Sequence, residues 1–218
     1  MDPGTAAVPP NPAARAAFLA LAGLAAATMI TQTGINIDRH GGLGPALWSM
    51  ARFFTLWTNT ALVPAALWVA LRPDDRRAVS AFAGVALCAV FVGLIYHLLL
   101  AARHDPSGIA ALTNVLLHGL NPAAAVALWA LVVPHGWLRR ADPFWWSLFP
   151  LTYLAAFLVR GMVTGRYPYF FLSPAELGWP AVVANAAGLL LAFLVAGQAL
   201  VAFDRYLGRG DRQAQRVE

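Results

Sequence analysis

The chain has 218 residues, of which 60% are hydrophobic and only 11% charged, and its mean hydropathy is +0.63. This composition excludes a soluble globular protein and predicts one integral membrane domain. All 15 basic residues are arginine, and most lie near the ends of apolar runs, where they set topology and meet anionic headgroups. We therefore expect the bilayer, and no nucleic acid, as a partner.

Six apolar runs are long enough to cross a bilayer, which takes about 20 residues. In chain order they cover residues 14–33, 46–71, 78–101, 110–133, 143–162 and 179–203. They predict an all-α fold, a polytopic membrane protein with six transmembrane helices in one bundle over 14–203. Residues 1–13 are predicted to form a disordered tail, and residues 204–218 an Arg-rich cytoplasmic tail that is also disordered.

The distribution of arginines predicts the orientation of the bundle. Ten lie in the tails and loops of one side, at positions Arg15, Arg72, Arg76, Arg77, Arg139, Arg140, Arg205, Arg209, Arg212 and Arg216. The opposite side has three, Arg39, Arg103 and Arg166. The positive-inside rule then places both termini in the cytoplasm. The high alanine content and the absence of lysine are typical of a GC-rich bacterial genome, so we expect a multi-pass protein of a bacterial cytoplasmic membrane.

The loop at residues 163–178 differs from the other connections, which are short and polar. It contains the sequence Tyr167-Pro-Tyr-Phe-Phe-Leu172, which is too aromatic for a solvated linker. Aromatic residues are enriched at membrane interfaces. We expect this loop to fold against the outer end of the bundle and Tyr167 to contribute to a binding site there.

Polar and charged side chains lie inside five of the apolar runs. They are Arg52, Thr55, Asn59, His97, Asn114, His118, Arg160 and Asn185. A charge at the bilayer centre costs about 2.5 to 3.5 kcal/mol on insertion scales, so such groups are expected to face a shared interior and to mark function. Given the predicted topology, all but Asn59 fall in the outer half of the membrane, and we expect a pocket that opens outward.

The spacing of these residues predicts two polar helix faces. Arg52, Thr55 and Asn59 follow an i, i+3, i+7 pattern, and Asn114, His118 and Asn121 follow an i, i+4, i+7 pattern. Pro64 and Pro122 each remove a backbone hydrogen bond, so bends or open carbonyls are expected just below the cluster.

Thr55 and His118 form a chemically useful pair. A threonine hydroxyl becomes a nucleophile when a base takes its proton, and histidine is the side chain best matched to that task near neutral pH. Asn59, Asn114 or Asn121 could donate hydrogen bonds to a developing oxyanion. Arg52 or Arg160 could hold a carboxylate or phosphate headgroup, and Asn185 completes the candidate binding residues.

Metal and cofactor chemistry is not expected. Cys88 is the only cysteine, which excludes an intramolecular disulfide and a cysteine-based metal site. A retinal Schiff base is excluded because the chain has no lysine.

Three segments resemble a known family. They are Arg52-Phe-Phe-Thr-Leu-Trp-Thr-Asn59, His118-Gly-Leu-Asn-Pro122 and Val163-Thr-Gly-Arg-Tyr-Pro-Tyr-Phe-Phe-Leu172. These segments are similar to the androgen-induced membrane protein family and its bacterial six-span "Pr-six-Pr" branch. The resemblance implies an intramembrane threonine hydrolase that cleaves fatty acid esters of hydroxy fatty acids.

The resemblance also implies roles for single residues. Thr55 matches the position of the family nucleophile. The animal pattern His-Gly-Met-His has its catalytic histidine second, where this chain has Asn121. The bacterial branch keeps one histidine four residues before a proline, a spacing that His118 and Pro122 match.

Two alternatives to a hydrolase remain open on the sequence. Asn121 at the animal histidine position favours a non-catalytic protein that binds or transports a lipid or a small anion. A structural membrane subunit is the other alternative, since Ala181, Ala184, Gly188 and Ala192 would let helices approach closely.

Overall fold

The computed structural model describes residues 11–167 and 169–214. These ranges form nine α-helices and contain no β-strand. The helices are α1 (Pro12–His40), α2 (Leu43–Met50), α3 (Phe54–Leu71), α4 (Arg76–Ile95), α5 (Gly108–Val115), α6 (Asn121–Val132), α7 (Asp142–Thr164), α8 (Pro174–Leu177) and α9 (Trp179–Ala214).

Six helical segments have the length and hydropathy of membrane spans, which confirms the predicted all-α, six-helix fold. Two of them combine several elements. α4 continues through a π-helical turn at Tyr96–Leu100 and a 3₁₀ turn at Ala101–Arg103. α5 and α6 are joined by a second π turn at Leu116–Leu120. The chain is thus described as a multi-pass membrane protein.

The second predicted span is wrong at its beginning. The run from residue 46 divides into α2 and α3, and the chain is not helical at Phe53, which has φ −110° and ψ 120°. A side chain replaces a missing backbone donor at this break, because Trp57 Nε1 donates to the Ala51 carbonyl at 2.9 Å. Arg52 therefore lies in the break and does not share a face of α3 with Thr55 and Asn59.

The last helix is longer than predicted. α9 extends to Ala214, so the segment from residue 204 that we expected to be disordered is helical as far as the structure describes it. The reason is tertiary, because the fully buried Asp204 carboxylate binds the α6–α7 connection. The predicted N-terminal tail lies mostly outside the described residues, and α1 begins at Pro12 with Asn11 as its N-cap.

The main core lies between α1, α3, α4 and α6. α4 is the most buried span and also contacts α7 and α9. Phe18 and Phe82 meet edge to face with ring centroids 5.0 Å apart, and Leu62 and Val79 are fully buried. This core positions α3 and the α5–α6 span side by side, and these carry the candidate site.

The two ends of the bundle differ in character. At the end that we call the site end, the connection after α7 folds back on the bundle and buries Tyr169 and Leu172 against Tyr153, Phe157 and Val182. The expectation that this aromatic loop packs against the bundle is confirmed. The opposite end, which we call the arginine-rich end, carries the connections before α4 and α7 and the last turns of α9.

Candidate functional site

Thr55 lies in the first turn of α3, where the chain turns from extended to helical. The N–H groups of a first turn have no helical acceptor. The Phe54 N–H is satisfied from outside the helix, since it donates to the Tyr169 hydroxyl at 3.0 Å. The aromatic loop of the site end thus caps the helix that carries Thr55 and fixes where the threonine hydroxyl points.

His118 lies in the π turn between α5 and α6. The turn is marked by a bond from the Asn121 N–H to the Leu116 carbonyl, five residues back. Such a turn changes the usual backbone pairing, and single π turns occur often at functional sites. Opened backbone was expected near Pro122, which lies two residues after this turn, whereas α3 continues through Pro64.

The backbone orients the His118 ring. His118 Nδ1 lies 3.1 Å from the Asn114 carbonyl, which can only accept a hydrogen bond. In a neutral imidazole Nδ1 therefore carries the proton, and Nε2 keeps its lone pair. A carbonyl of the same helix does here what a carboxylate does in many catalytic triads.

Thr55 and His118, which the sequence paired, face each other. Thr55 Oγ1 lies 3.3 Å from His118 Nε2, and both side chains are partly buried. A nucleophile and its base are expected at about 2.6 to 3.2 Å, or somewhat further apart without substrate. The arrangement can pass the threonine proton to the lone pair of Nε2.

Tyr96 is a site residue that sequence reasoning missed. Its ring stacks on His118 with centroids 3.8 Å apart and an interplanar angle of 17°. Its hydroxyl accepts a hydrogen bond from Asn114 Nδ2 at 2.7 Å. Tyr96 begins the π turn at the end of α4, and a tyrosine in an apolar run gives no signal that could have identified it.

Gly93 sets the distance between α4 and the π turn of His118. A Cβ at this position would lie 2.9 Å from the His118 carbonyl oxygen. Only glycine therefore allows the backbones to approach so closely, and this approach places the Tyr96 ring, one turn along, over the imidazole.

A buried amide pair holds the two site helices together. Asn121 Nδ2 donates to Asn59 Oδ1 at 2.9 Å. Asn59 Nδ2 donates to the Thr55 carbonyl at 2.9 Å and to the Leu117 carbonyl at 3.3 Å. Both N–H groups of Asn59 are thus used, and its role is to join α3 to the π turn.

The expected oxyanion role is not supported by these contacts. Asn59, Asn114 and Asn121 all donate to protein acceptors, and none of the three lines the neighbouring pocket. Asn121 is fully buried against Asn59. The imidazole that meets Thr55 is that of His118.

An apolar pocket of about 130 Å³ opens beside Thr55. It lies between α3, α4, α7, the aromatic loop and α9. Its walls are mainly aliphatic and aromatic, with Phe91, Val92, Ile95, Leu154, Leu172 and Phe193 among them. Its polar lining residues are Thr55, Tyr96, Tyr153 and Tyr169. An aliphatic chain suits such a pocket, with its polar end at Thr55.

Two tyrosines fix the chain break that precedes Thr55. The Tyr153 hydroxyl donates to the Arg52 carbonyl at 2.5 Å, and the Tyr169 hydroxyl accepts from Phe54. Burial raises the pKa of Tyr169 above its ordinary value, although its hydrogen bonds with Phe54, Tyr153 and Thr55 oppose this. Tyr169 is therefore a neutral phenol that can donate a hydrogen bond next to Thr55. It lies in the third family-like segment, so the sequence did contain a signal for it.

The two candidate headgroup arginines lie at the site end but outside the pocket lining. Arg160 donates to the Trp48 carbonyl and lies over the Trp48 ring, 4.1 Å from its centroid. The Arg52 guanidinium lies 4.9 Å from the Phe53 ring centroid. Burial, and then the charge of Arg166, lower the pKa of Arg52. Arg52 and Arg160, which we call the arginine rim, thus add positive charge at the site end and are not part of the Thr55–His118 pair.

The remaining candidates stabilise the aromatic loop or lie at the surface. Asn185 donates to the Phe171 carbonyl at 2.8 Å. Tyr167 packs edge to face on Phe157, with centroids 5.8 Å apart. His97 is exposed and touches Tyr96 edge to face at 5.2 Å. The structure does not bring these three residues to Thr55.

Three of the four small residues of α9 that the sequence suggested as a helix interface do not form one within the chain. Ala184, Gly188 and Ala192 are exposed, and nothing lies within 4 Å of a Cβ built at Gly188. Among the described residues, no group of three or more histidine, cysteine or acidic side chains is arranged to hold a metal ion.

Comparison of the chain with protein-family models, with curated proteins and with solved structures finds no match. Functional interpretation therefore depends on the geometry described above.

Proposed function

We propose that this protein is an intramembrane lipid-ester hydrolase in which Thr55 is the nucleophile and His118 the general base. One observation carries the proposal: Thr55 Oγ1 lies 3.3 Å from His118 Nε2 at the polar end of an apolar pocket. The ring is held by the Asn114 carbonyl in the tautomer that leaves Nε2 free to accept a proton. The likeness of three segments to the androgen-induced membrane protein family supports the same reaction.

The reaction follows from this geometry in two halves. Thr55 Oγ1 attacks the ester carbonyl carbon while His118 Nε2 takes the hydroxyl proton. The tetrahedral intermediate expels the alcohol, which leaves with that proton, and an acyl-threonine remains. Water then attacks the acyl carbon, gives a proton to Nε2 and releases the fatty acid, and the proton returns to Thr55.

The oxyanion needs donors other than the three asparagines. Candidates are the neutral Tyr169 hydroxyl and the Thr55 amide in the first turn of α3, where the helix dipole also favours negative charge. The carbonyl four residues before Thr55, that of Ala51, accepts from Trp57 Nε1 instead. Both donors lie close to Thr55 Oγ1. The amide belongs to Thr55 itself, and Tyr169 is the residue that caps α3.

The substrate is a fatty acid ester whose acyl chain occupies the pocket. The walls are apolar, so the acyl chain of a membrane lipid can enter the pocket without leaving apolar surroundings. Arg52 and Arg160 at the rim would hold a carboxylate or phosphate headgroup. The arginine distribution predicts that this rim faces the outer leaflet.

The experiment measures turnover by the purified chain in detergent or liposomes. We expect Thr55→Ala and His118→Ala to abolish hydrolysis of a fatty acid ester of a hydroxy fatty acid and labelling by a fluorophosphonate probe. Thr60→Ala is the matched control, since Thr60 lies on the same helix, is exposed and bonds only the Leu56 carbonyl. Wild-type rates in both site variants would falsify the assignment.

One observation favours a second function. Tyr96 lines the pocket and stacks on His118, whereas His118 itself does not line the pocket. The protein would then bind or transport an amphipathic lipid or small anion without reaction. Saturable binding of a fluorescent fatty acid, with no product after long incubation and no effect of His118→Ala, would support this function over the hydrolase.

A further inference from the structure

The arginine-rich end contains a groove that none of the site residues explains. It has a volume of about 610 Å³ and is lined by residues of the α3–α4 connection, the α6–α7 connection and α9. Four of its lining residues are arginines, Arg76, Arg139, Arg205 and Arg209. A smaller pocket of about 240 Å³ adjoins it and shares Arg205 and Arg209, with Arg140 added.

The groove has a fixed wall. Asp204, fully buried on α9, accepts from the Leu138 N–H at 2.9 Å and contacts His135 Nδ1 at 3.3 Å. Gly208, one turn further on, lets this connection lie against the helix, because a Cβ there would be 2.7 Å from the Gly136 Cα. The α6–α7 connection is therefore held to α9 by buried contacts.

The second buried carboxylate fixes the other side. Asp142 accepts from the Arg139 N–H at 2.9 Å and forms an ion pair with Arg76 at 3.1 Å. Gln198 of α9 donates to the Arg140 carbonyl at 2.9 Å. The backbones of both arginines are thus held in place, while their side chains are exposed.

The charge of the groove is not neutralised by these contacts. Both buried carboxylates are used in fixing the α6–α7 connection. Arg139, Arg205 and Arg209 form no ion pair with any side chain that the structure describes. In the lining that the structure describes, Asp74 is the only acidic residue, Arg76 is paired with Asp142, and three other arginines remain. Guanidinium groups recognise phosphate through paired hydrogen bonds, and three that pair with no described acidic side chain line this single groove.

The groove lies at the end of a membrane span, where lipid headgroups are expected. The membrane-spanning part of α9, Trp179–Arg209, has 31 residues and rises about 46 Å, which exceeds the hydrocarbon thickness of about 30 Å. Arg205 and Arg209, one helical turn apart, therefore project beyond the hydrocarbon. Tyr206 between them is 70% exposed, as expected of an aromatic residue at the interface.

We propose that this groove binds a phosphate-bearing anion, with Arg139, Arg205 and Arg209 as its ligands. The source of the phosphate is either the headgroup of an anionic phospholipid or a soluble phosphate ester. The site is separate from the Thr55–His118 pair and does not depend on the proposed hydrolase.

The experiment measures the unfolding temperature of the full chain in an uncharged maltoside detergent. One arm adds dioleoylphosphatidylglycerol, with dioleoylphosphatidylcholine for comparison. The other adds glycerol 1-phosphate, with sodium chloride at equal ionic strength. We expect a saturable rise in unfolding temperature in one arm, and the arm in which it occurs identifies the source.

Two double variants distinguish binding in the groove from general attraction by the positive charge of this end. Arg205→Gln with Arg209→Gln should raise the half-saturating ligand concentration about tenfold or more, given the usual contribution of interfacial arginines. Arg15→Gln with Arg77→Gln removes the same charge from exposed positions at the same end outside the groove, and should have far less effect. If the first pair does not fold, Arg139→Gln alone should weaken binding severalfold. Equal loss in both pairs, or no saturable shift with either ligand, would overturn the proposal.

Discussion

The Tyr96 ring stacks on His118 at 3.8 Å while the Tyr96 hydroxyl accepts a hydrogen bond from Asn114, the residue whose carbonyl holds His118 Nδ1. Tyr96, Asn114 and His118 thus form a closed set of contacts between the two π turns. The set fixes both the tilt and the tautomer of the imidazole, and it separates the ring from the apolar pocket.

Replacing Tyr96 tests whether this stacking positions the base. We expect Tyr96→Phe to keep the stacking and lose one neutral hydrogen bond, which lowers ester turnover about three- to tenfold. Tyr96→Leu loses the stacking as well and should lower turnover much further, with the effect in kcat rather than KM. Equal rates in Tyr96→Leu and the wild type would show that His118 is held without Tyr96.

Gly93→Ala tests the close approach of α4 to His118. The new Cβ would lie 2.9 Å from the His118 carbonyl oxygen, so one backbone must move. We expect a loss of about 1 to 3 kcal/mol in the free energy of unfolding, with slower turnover. Gly188→Ala is the control, since open space surrounds that position and alanine favours a helix. The comparison is made by thermal unfolding in detergent.

The Asn59–Asn121 pair should stabilise the bundle more than any exposed amide. Asn59→Ala removes the side-chain donor to the buried Leu117 carbonyl. It also removes the acceptor of the buried Asn121 Nδ2. We expect a loss of about 1 to 2 kcal/mol. Because both residues belong to one network, the double variant with Asn121→Ala should lose less than the two single losses together. Additive losses would contradict the network.

Tyr169→Phe removes the acceptor of the Phe54 N–H and a neutral donor beside Thr55. We expect a fall in turnover of about ten- to a hundredfold if the phenol stabilises the oxyanion. Tyr153→Phe is the comparison, because it also breaks a bond to the α2–α3 segment, at the Arg52 carbonyl, but keeps the Tyr169 phenol beside Thr55. Similar losses in the two variants would assign Tyr169 to the support of the chain break alone.

Asp204→Ala should destabilise the arginine-rich end. The substitution leaves the buried Leu138 N–H without an acceptor and removes the contact of His135 Nδ1 with a carboxylate. A buried group left unsatisfied costs about 1 to 3 kcal/mol. We expect a lower unfolding temperature with ester turnover unchanged at temperatures where the variant is folded, since the site end is remote from Asp204.

The pairing of Thr55 with His118 was predictable because it depends on residue type and on position within the apolar runs. His118 is costly in an apolar run without a partner, and Thr55 lies at the corresponding depth of a neighbouring run. The π turn, the stacking of Tyr96 and the close approach at Gly93 were not predictable. They depend on which helices are neighbours, and a tyrosine or glycine in an apolar run is compatible with any neighbour.

The break at Arg52 shows the limit of periodicity. The spacing of Arg52, Thr55 and Asn59 fits one helix face, and the local sequence has no glycine or proline to interrupt it. The carbonyls of Ala51 and Arg52 accept from Trp57 and Tyr153, and Tyr153 comes from a helix a hundred residues away. A local hydrogen bond from Trp57 and a tertiary one from Tyr153 thus stabilise the extended conformation of Phe53, which local propensity does not favour.

The amino-acid sequence by itself determined that the chain folds as six apolar helices, because burying backbone groups in hydrocarbon requires helices of that length. It also determined which polar side chains need an interior. Only the tertiary structure decided how those side chains are used: the asparagines join helices, the arginines form a rim, and Thr55 meets His118. That division arises because insertion depends on the composition of each segment, whereas partners depend on which faces meet.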